Sequence, residues 1–295
     1  MKKCLVILFV FKSFLVFSQS QFLIDGFVVG ASDKSSAELI SFDYGELTVV
    51  KSNISKGKVL IDLNDKIADG IYKIKINYVG ENSNLYQVFH FYLIVDKAEK
   101  QFKFEFDPTK NLFPNVLVSN INKNWYDFLK LENFRIATID YVKNAMDSKN
   151  SSLLSPPKSF DDILNKEIKE LRDLRLNYLS SNYNKWSTLF VKNTFNQLYF
   201  DKVSKDDYWK NFDISNTDLM NTPVFHDLIQ NYILLYYKNV DESGYKQGFD
   251  EVIRVFDSNL AIKEWVIKYV VTGVTYLNNK ELLSYFSNKY KYKVF

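Results

Sequence analysis

The spacing of apolar residues changes once along this 295-residue chain, and that change constrains the fold more than any other feature. From Phe22 to about Val118, apolar and polar residues alternate in short runs that end at Gly, Asn or Asp, as in β-strands joined by turns. After Pro114, apolar residues recur every three or four positions, as on one face of an α-helix. Strands followed by helices predict an α+β protein in which the two kinds of element are segregated.

The first part predicts about seven strands in an antiparallel β-sandwich-like domain that spans residues 21–118. The clearest signal lies in 71–78, where Ile74 stands between Lys73 and Lys75 in strict alternation. The other candidate strands are 22–30, 38–42, 47–51, 58–63, 85–95 and 101–106. The order of these strands in a sheet is not encoded in their local pattern.

The second part predicts a helical domain over 119–295. Pro156 and Pro157 cannot lie inside a helix, so the stretch 150–157 is interpreted as a loop between two helices. Ser159 is a candidate N-cap, and the sequence Thr222–Pro223 is a second helix start signal. Further helices are predicted at 184–203, 222–238, 244–257, 260–275 and 279–291.

The first twenty residues have the layout of a secretory signal peptide. A basic start (MKK) precedes an apolar stretch, and Ser18 and Ser20 occupy positions −3 and −1 of a cut before Gln21. The alternative is a membrane anchor, but the apolar stretch is interrupted by Lys12 and is shorter than the ~20 residues that a span needs. Cleavage at this point predicts a periplasmic or secreted protein with no stable membrane span.

Cys4 is the single cysteine, and it precedes the apolar stretch. A bacterial lipoprotein carries its cysteine at the cleavage point, so the chain is not expected to be a lipoprotein. Cleavage after Ser20 would remove Cys4, which excludes thiol nucleophiles, CxxC redox chemistry and thiolate metal ligands from the mature chain. The formal net charge of +3 gives no electrostatic reason to bind nucleic acid.

Histidine is scarce, and the chain lacks HExxH, GxSxG, Walker and GxGxxG motifs. His90 is expected to pack beside the rings around it on a strand. His226, in the first turn of a helix, is expected to be partly exposed or hydrogen-bonded. A metal site with two histidines would need both of them, although they lie on distant elements. The sequence therefore assigns no catalytic, cofactor-binding or metal-ligating residue, and no cofactor is expected.

Paired carboxylates and clustered aromatic residues each have a structural and a functional interpretation. The carboxylate pairs are Asp161–Asp162, Asp206–Asp207 and Asp241–Glu242. They lie at predicted helix starts, where negative charge complements the helix dipole. The aromatic clusters are Trp125–Tyr126, Tyr232 with Tyr236–Tyr237, and Tyr285–Phe286 with Tyr290 and Tyr292. Core packing is the expected role of these rings, and a ligand platform is the alternative. The basic, aromatic tail 289–293 is expected to be a solvated helix end.

Several short motifs occur together in one order along the chain. They are Phe22-x-Ile24-x-Gly26, Asp69-Gly70-Ile71-Tyr72-Lys73-Ile74, Val118-Ser119-Asn120 through Asn124-Trp125, Trp209-x-x-Phe212-x-Ile214, and Leu219-Met220-x-Thr222-Pro223-Val224 followed by Tyr232. In this order they resemble the N-terminal β-domain and helical region of secreted thioredoxin-like envelope proteins of the TlpA/AhpC type. That resemblance implies an accessory region, because in the family a following thioredoxin-like domain carries the CxxC chemistry. The chain is then expected to be a stand-alone version of that region, one half of a split system, or a truncated relative.

Three functional hypotheses follow. The first is a non-catalytic secreted or periplasmic binding or interaction module, with its ligand or partner between the β part and the helical part. The second is the accessory half of a split thiol-disulfide oxidoreductase system, with a thioredoxin-like envelope protein as its partner. The third is a hydrolase of glycans or peptides, which needs two carboxylates that face one cleft.

Overall fold

The structure is a computed structural model, and it describes residues 22–63, 67–81, 85–150, 158–181, 183–194, 204–236 and 242–291. Within these ranges, eight strands occupy the first part of the chain and seven α-helices the second, which confirms the predicted α+β class. The predicted signal peptide and the Ser/Pro stretch 151–157 lie outside the described residues. Among the helices that are described, none combines the length and the apolar character that crossing a membrane requires.

The strands form two four-stranded sheets. Their bounds are β1 Phe22–Val28, β2 Ser36–Ser41, β3 Leu47–Asn53, β4 Lys58–Leu63, β5 Gly70–Val79, β6 Tyr86–Val95, β7 Gln101–Phe106 and β8 Asn115–Val118. The first sheet has the order β4-β1-β7-β8 and the second the order β3-β2-β5-β6. All pairings are antiparallel except that of β1 with β7, which is parallel. The seven predicted strands are present, and β8 is an eighth that was too short to predict.

The two sheets enclose an apolar core. Alternate residues of β1, β4 and β7 point inward, and the largest fully buried side chains include Phe102 and Phe104 of β7. Gly26 of β1 stands directly against this layer. A Cβ atom at Gly26 would lie 2.3 Å from Cζ of Phe104 and 2.6 Å from Cγ1 of Val59. The absence of a side chain at this position therefore allows the ring of Phe104 to lie against β1.

Gly26→Ala is expected to lower the free energy of unfolding by about 1–3 kcal/mol, the usual cost of overpacking a core. The ring of Phe104 has little room to shift, because it packs on the rings of Phe91 at 5.2 Å and Phe102 at 5.3 Å. Urea unfolding followed by circular dichroism measures the effect. Gly70→Ala is the matched strand control, since its nearest atom would lie at 3.7 Å, and equal losses in both variants would contradict the prediction.

The helices are α1 Asn120–Asn150, α2 Lys158–Ser180, α3 Lys185–Thr194, α4 Pro223–Tyr236, α5 Glu242–Val255, α6 Leu260–Tyr276 and α7 Lys280–Tyr290, with 3₁₀ turns at Tyr208–Asn211 and Thr217–Asn221. Helix α2 begins at Lys158, so Ser159 lies inside its first turn rather than at the N-cap. Thr222 has extended backbone before Pro223, as predicted for a helix start, but its hydroxyl donates to the Leu219 carbonyl.

The second sheet lies between the sandwich core and the helical core. Ile71 of β5 and Ile94 of β6 point outward and join the buried cluster of the helices. The amide of Asn122 in α1 accepts from the Ile94 N–H and donates to the Ile94 carbonyl, both at 2.8 Å, so a side chain completes the edge of β6. The hydroxyl of Tyr126 donates to the Tyr92 carbonyl in the same way. These hydrogen bonds hold α1 on the second sheet. The division of the chain into two domains at residue 118 stays a prediction.

Candidate functional site

A cavity of about 630 Å³ opens where the β2–β3 turn meets helices α4 to α7. Aromatic and aliphatic side chains make up most of its wall. The aromatic residues include Phe42, Tyr44, Tyr92, Tyr245, Phe249, Tyr269 and Tyr276. The polar ones are Glu46, His226, Asp227, Gln230 and Thr272. This volume and this mixture of rings with a few polar groups are typical of small-molecule sites.

The β2–β3 turn brings strand residues to the cavity. Tyr44 has a φ angle of 53° and Gly45 one of 147°, a backbone path that favours glycine at the second position. The ring of Tyr44 lies 5.9 Å from that of Trp265 in α6, and the Lys268 ammonium stands 4.8 Å from the Tyr44 ring centroid. The turn is thereby attached to α6, and it places Glu46 at the cavity wall.

His226 of α4 is a buried, neutral part of this wall. Its ring makes edge contacts with the rings of Phe42 at 5.7 Å, Trp265 at 5.1 Å and Tyr269 at 4.8 Å. Burial lowers the pKa of His226 to about 4, although a hydrogen bond to the Phe42 backbone and the charge of Glu46 act in the opposite direction. The Nε2 atom has no hydrogen-bond partner among the described residues. The sequence predicted a partly exposed or hydrogen-bonded ring, and the structure buries it, at 8% exposed.

The two carboxylates of the cavity differ in their surroundings. Glu46 forms an ion pair with Lys73 of β5. The Asp227 side chain is exposed to solvent at the cavity, and no hydrogen bond or ion pair joins its carboxylate to another described residue. Partial burial and the charge of Glu46 raise the pKa of Asp227, while Lys73 acts to lower it. Burial raises the pKa of Tyr92 to about 12, and both carboxylates add to that rise. The wall therefore carries negative potential.

Gly273 of α6 leaves part of the wall open. A Cβ atom at this position would have no atom within 4 Å outside the backbone of its own helix and its chain neighbours. Glycine inside a helix costs about 1 kcal/mol relative to alanine, so packing does not explain its presence here. One turn earlier, the Tyr269 hydroxyl accepts a 3.0 Å hydrogen bond from the amide of Gln230, which fixes the adjacent ring.

The interpretation of His90 is wrong in one respect. His90 lies on strand β6, as predicted, but it is exposed and pairs across the strand with Lys75. Alternation points Phe89 and Phe91 toward the sandwich core and His90 to the outer face. The same face is covered at Ile94 by the helices, which do not cover His90.

The predicted carboxylate pairs do not line the cavity. Asp161 lies in the first turn of α2, as the helix-dipole interpretation predicts, and Asp162 follows it; both are exposed. Asp207 precedes a 3₁₀ turn and binds Ser204 and Lys210. Asp241 lies outside the described residues.

The aromatic clusters are mostly core, as expected. Trp125, Tyr126 and Tyr232 are at most 3% exposed. Tyr285 and Tyr290 donate hydrogen bonds to Asp250, which ties α7 to α5. The side chain of Tyr236 and the whole of Tyr237 and Tyr292 lie outside the described part of the structure. The rings that form the cavity are largely others, and sequence analysis did not single them out.

Glu46 and Asp227 were missed because no local pattern joins a strand turn to a helix so far along the chain. The Asp43-Tyr44-Gly45 turn and the His226–Asp227 pair were the available signals, and nothing in the sequence connects them. In the ranges that the structure describes, no group of three or more His, Cys, Asp or Glu residues could hold a metal ion.

Comparisons with known proteins gave no match: no family model, no curated protein and no solved structure is significantly similar to this chain. The resemblance to the accessory region of thioredoxin-like envelope proteins therefore stays a prediction. The cavity has to be interpreted from its own residues.

Proposed function

We propose that this chain is a secreted or periplasmic binding protein whose ligand is a small molecule held in the cavity between the β2–β3 turn and helices α4 to α7. The cavity carries the proposal, because its volume of about 630 Å³ and its aromatic wall with few polar groups suit a small ligand. The location rests on the signal-peptide pattern of residues 1–20. An accessory role beside a thioredoxin-like partner rests on the resemblance alone.

Preorganisation of the wall supports binding as the role. His226 is held by the rings around it, and the ring of Trp265 stacks on that of Tyr269 at 5.4 Å with an interplanar angle of 9°. A wall fixed before the ligand arrives loses little side-chain entropy on binding. Gly273 adds open space at a point where alanine would give the helix higher stability.

Gly273→Trp is expected to weaken binding of a neutral apolar probe, N-phenyl-1-naphthylamine, by at least about 10-fold, because the indole would occupy part of the cavity. Fluorescence titration of the purified full chain with the probe measures the dissociation constant. Thermal unfolding of the same variant checks that it is folded; the Cβ atom itself meets no neighbouring atom at this position.

Gly273→Ala is the control, because it makes the same backbone change with a side chain too small to fill the cavity. It should bind the probe as the wild type does and unfold at a slightly higher temperature. Equal probe binding by the wild type and Gly273→Trp would overturn the proposed site.

Hydrolysis is the second candidate function, because Glu46 and Asp227 both line one cavity. Glu46 is ion-paired with Lys73, whereas Asp227 has no ion-pair partner among the described residues, and partial burial raises the pKa of its carboxyl. Two carboxylates whose surroundings differ in this way are typical of the acid and base of a hydrolase. Turnover of chromogenic glycosides or peptides that Gly273→Trp abolishes would support this function over simple binding.

A further inference from the structure

The cavity wall is acidic, and no lysine or arginine of the described chain lines it. Two lysine ammonium groups are engaged by residues that line it. Lys73 is paired with Glu46. Lys268 stands over the ring of Tyr44 and also donates a 3.4 Å hydrogen bond to the Tyr44 hydroxyl. Among the described residues, Asp227 has no partner of opposite charge in direct contact, and its side chain is open to solvent. A carboxylate without a bound partner can form a charge-assisted hydrogen bond with a cation that reaches it directly.

Aromatic faces surround the same space. Tyr92 and Tyr269 both lie near Asp227, whose charge contributes to the raised pKa of each hydroxyl. The face of a phenol ring carries partial negative charge, so it attracts an ammonium or alkylammonium group. A carboxylate set among rings is the arrangement that recognises organic cations, and neutral hydroxylated ligands gain less from it.

Much of the remaining wall is apolar. Ile233 of α4, Val270 and Val274 of α6 and Leu282 of α7 all line the cavity. This surface suits an alkyl or aryl body and would repel a second charged end, because burying an unpaired charge is costly.

From this arrangement we infer that the ligand is a small organic amine, whose ammonium group binds Asp227 among the rings of Tyr92 and Tyr269 and whose apolar body occupies the Ile233–Val270–Leu282 side. The inference rests on the proposed function, since it names the class of ligand for the same cavity. Glu46 also lines the cavity, and its charge is balanced by Lys73.

Displacement of bound N-phenyl-1-naphthylamine by two nearly isosteric competitors tests the inference. 4-Phenylbutylamine carries the ammonium group, and 4-phenyl-1-butanol replaces that group by a hydroxyl. We expect the amine to displace the probe from the wild type at an about 10-fold lower concentration, as a charge-assisted hydrogen bond predicts. Asp227→Asn should bring the two competitors to within about 2-fold, when each is compared with the dissociation constant of the probe measured for that variant.

Asp162→Asn is the matched control, because it removes a carboxylate that is exposed on α2, outside the cavity. This variant should keep the amine preference of the wild type. Equal displacement by amine and alcohol in the wild type, or an unchanged preference in Asp227→Asn, would overturn the inference while the proposed function stands. Probe binding that Gly273→Trp does not weaken would instead overturn the proposed function itself.

Discussion

Arg175→Ala is expected to lower the free energy of unfolding by about 3–5 kcal/mol, the cost of leaving one member of a buried ion pair without its partner. Arg175 of α2 is 1% exposed and pairs with Glu132 of α1, which is 6% exposed. The guanidinium also donates to the Val191 carbonyl of α3 at 3.4 Å, so one side chain joins three helices. Urea unfolding at pH 8, followed by tryptophan fluorescence, measures the loss.

Two further variants separate the charge effect from general damage to the core. Arg175→Met combined with Glu132→Leu removes both charges and should recover most of the stability, because apolar pairs of similar volume often replace buried ion pairs without loss. Lys210→Ala removes the cation of the exposed pair with Asp207 and should leave the unfolding curve nearly unchanged. A double variant as unstable as Arg175→Ala would contradict the explanation by charge.

The single variant should also respond to pH. Burial raises the pKa of Glu132 even with Arg175 present, and removal of the guanidinium raises that pKa further. A carboxyl whose pKa is raised in the folded state favours folding at low pH, where it is protonated, and opposes folding as the pH rises. The deficit of Arg175→Ala should therefore be smaller at pH 5 than at pH 8.

His226→Phe is expected to remove a pH dependence of stability that amounts to about 3 kcal/mol between pH 7.5 and pH 4. Burial lowers the pKa of His226 from 6.5 to about 4, so the folded protein binds a proton at this ring less readily than the unfolded chain. The stabilising contribution is present above pH 6.5 and is lost as the pH falls toward 4. Phenylalanine keeps the ring contacts with Phe42, Trp265 and Tyr269 but cannot be protonated.

The measurement is the free energy of unfolding of both proteins at several pH values from 7.5 to 4. Carboxylates titrate in the same range, so the difference between wild type and His226→Phe is the informative quantity. That difference should shift by about 3 kcal/mol in favour of the variant as the pH falls. His90→Gln removes the exposed histidine of β6 and serves as the control; parallel profiles for wild type and His226→Phe would contradict the prediction.

Local pattern was sufficient to predict the elements. Lysines alternate with isoleucines in β5, and the burial of that strand alternates in step through its middle. The helix start at Pro223 was also predicted, because proline restricts the backbone angles wherever it occurs. Backbone geometry and side-chain period act over a few residues, so a single sequence records them directly.

Pairing across distance was not predictable in the same way. The parallel pairing of β1 with β7 places Leu23 opposite Gln101, and the local sequence of neither strand specifies the other as its partner. The ion pair of Arg175 with Glu132 likewise depends on how α1 and α2 pack. Two charged residues on predicted helices would ordinarily be assigned to the solvent.

The sequence by itself determined the order of strands and helices along the chain, the absence of thiol chemistry after residue 20, and the signal-peptide pattern, because each depends on neighbouring residues or on composition. Only the tertiary structure decided that Glu46, His226 and Asp227 share one cavity and that Gly273 leaves its wall open. Those relations arise when a strand turn and four helices pack together, and packing of residues far apart in the chain is set by the whole core.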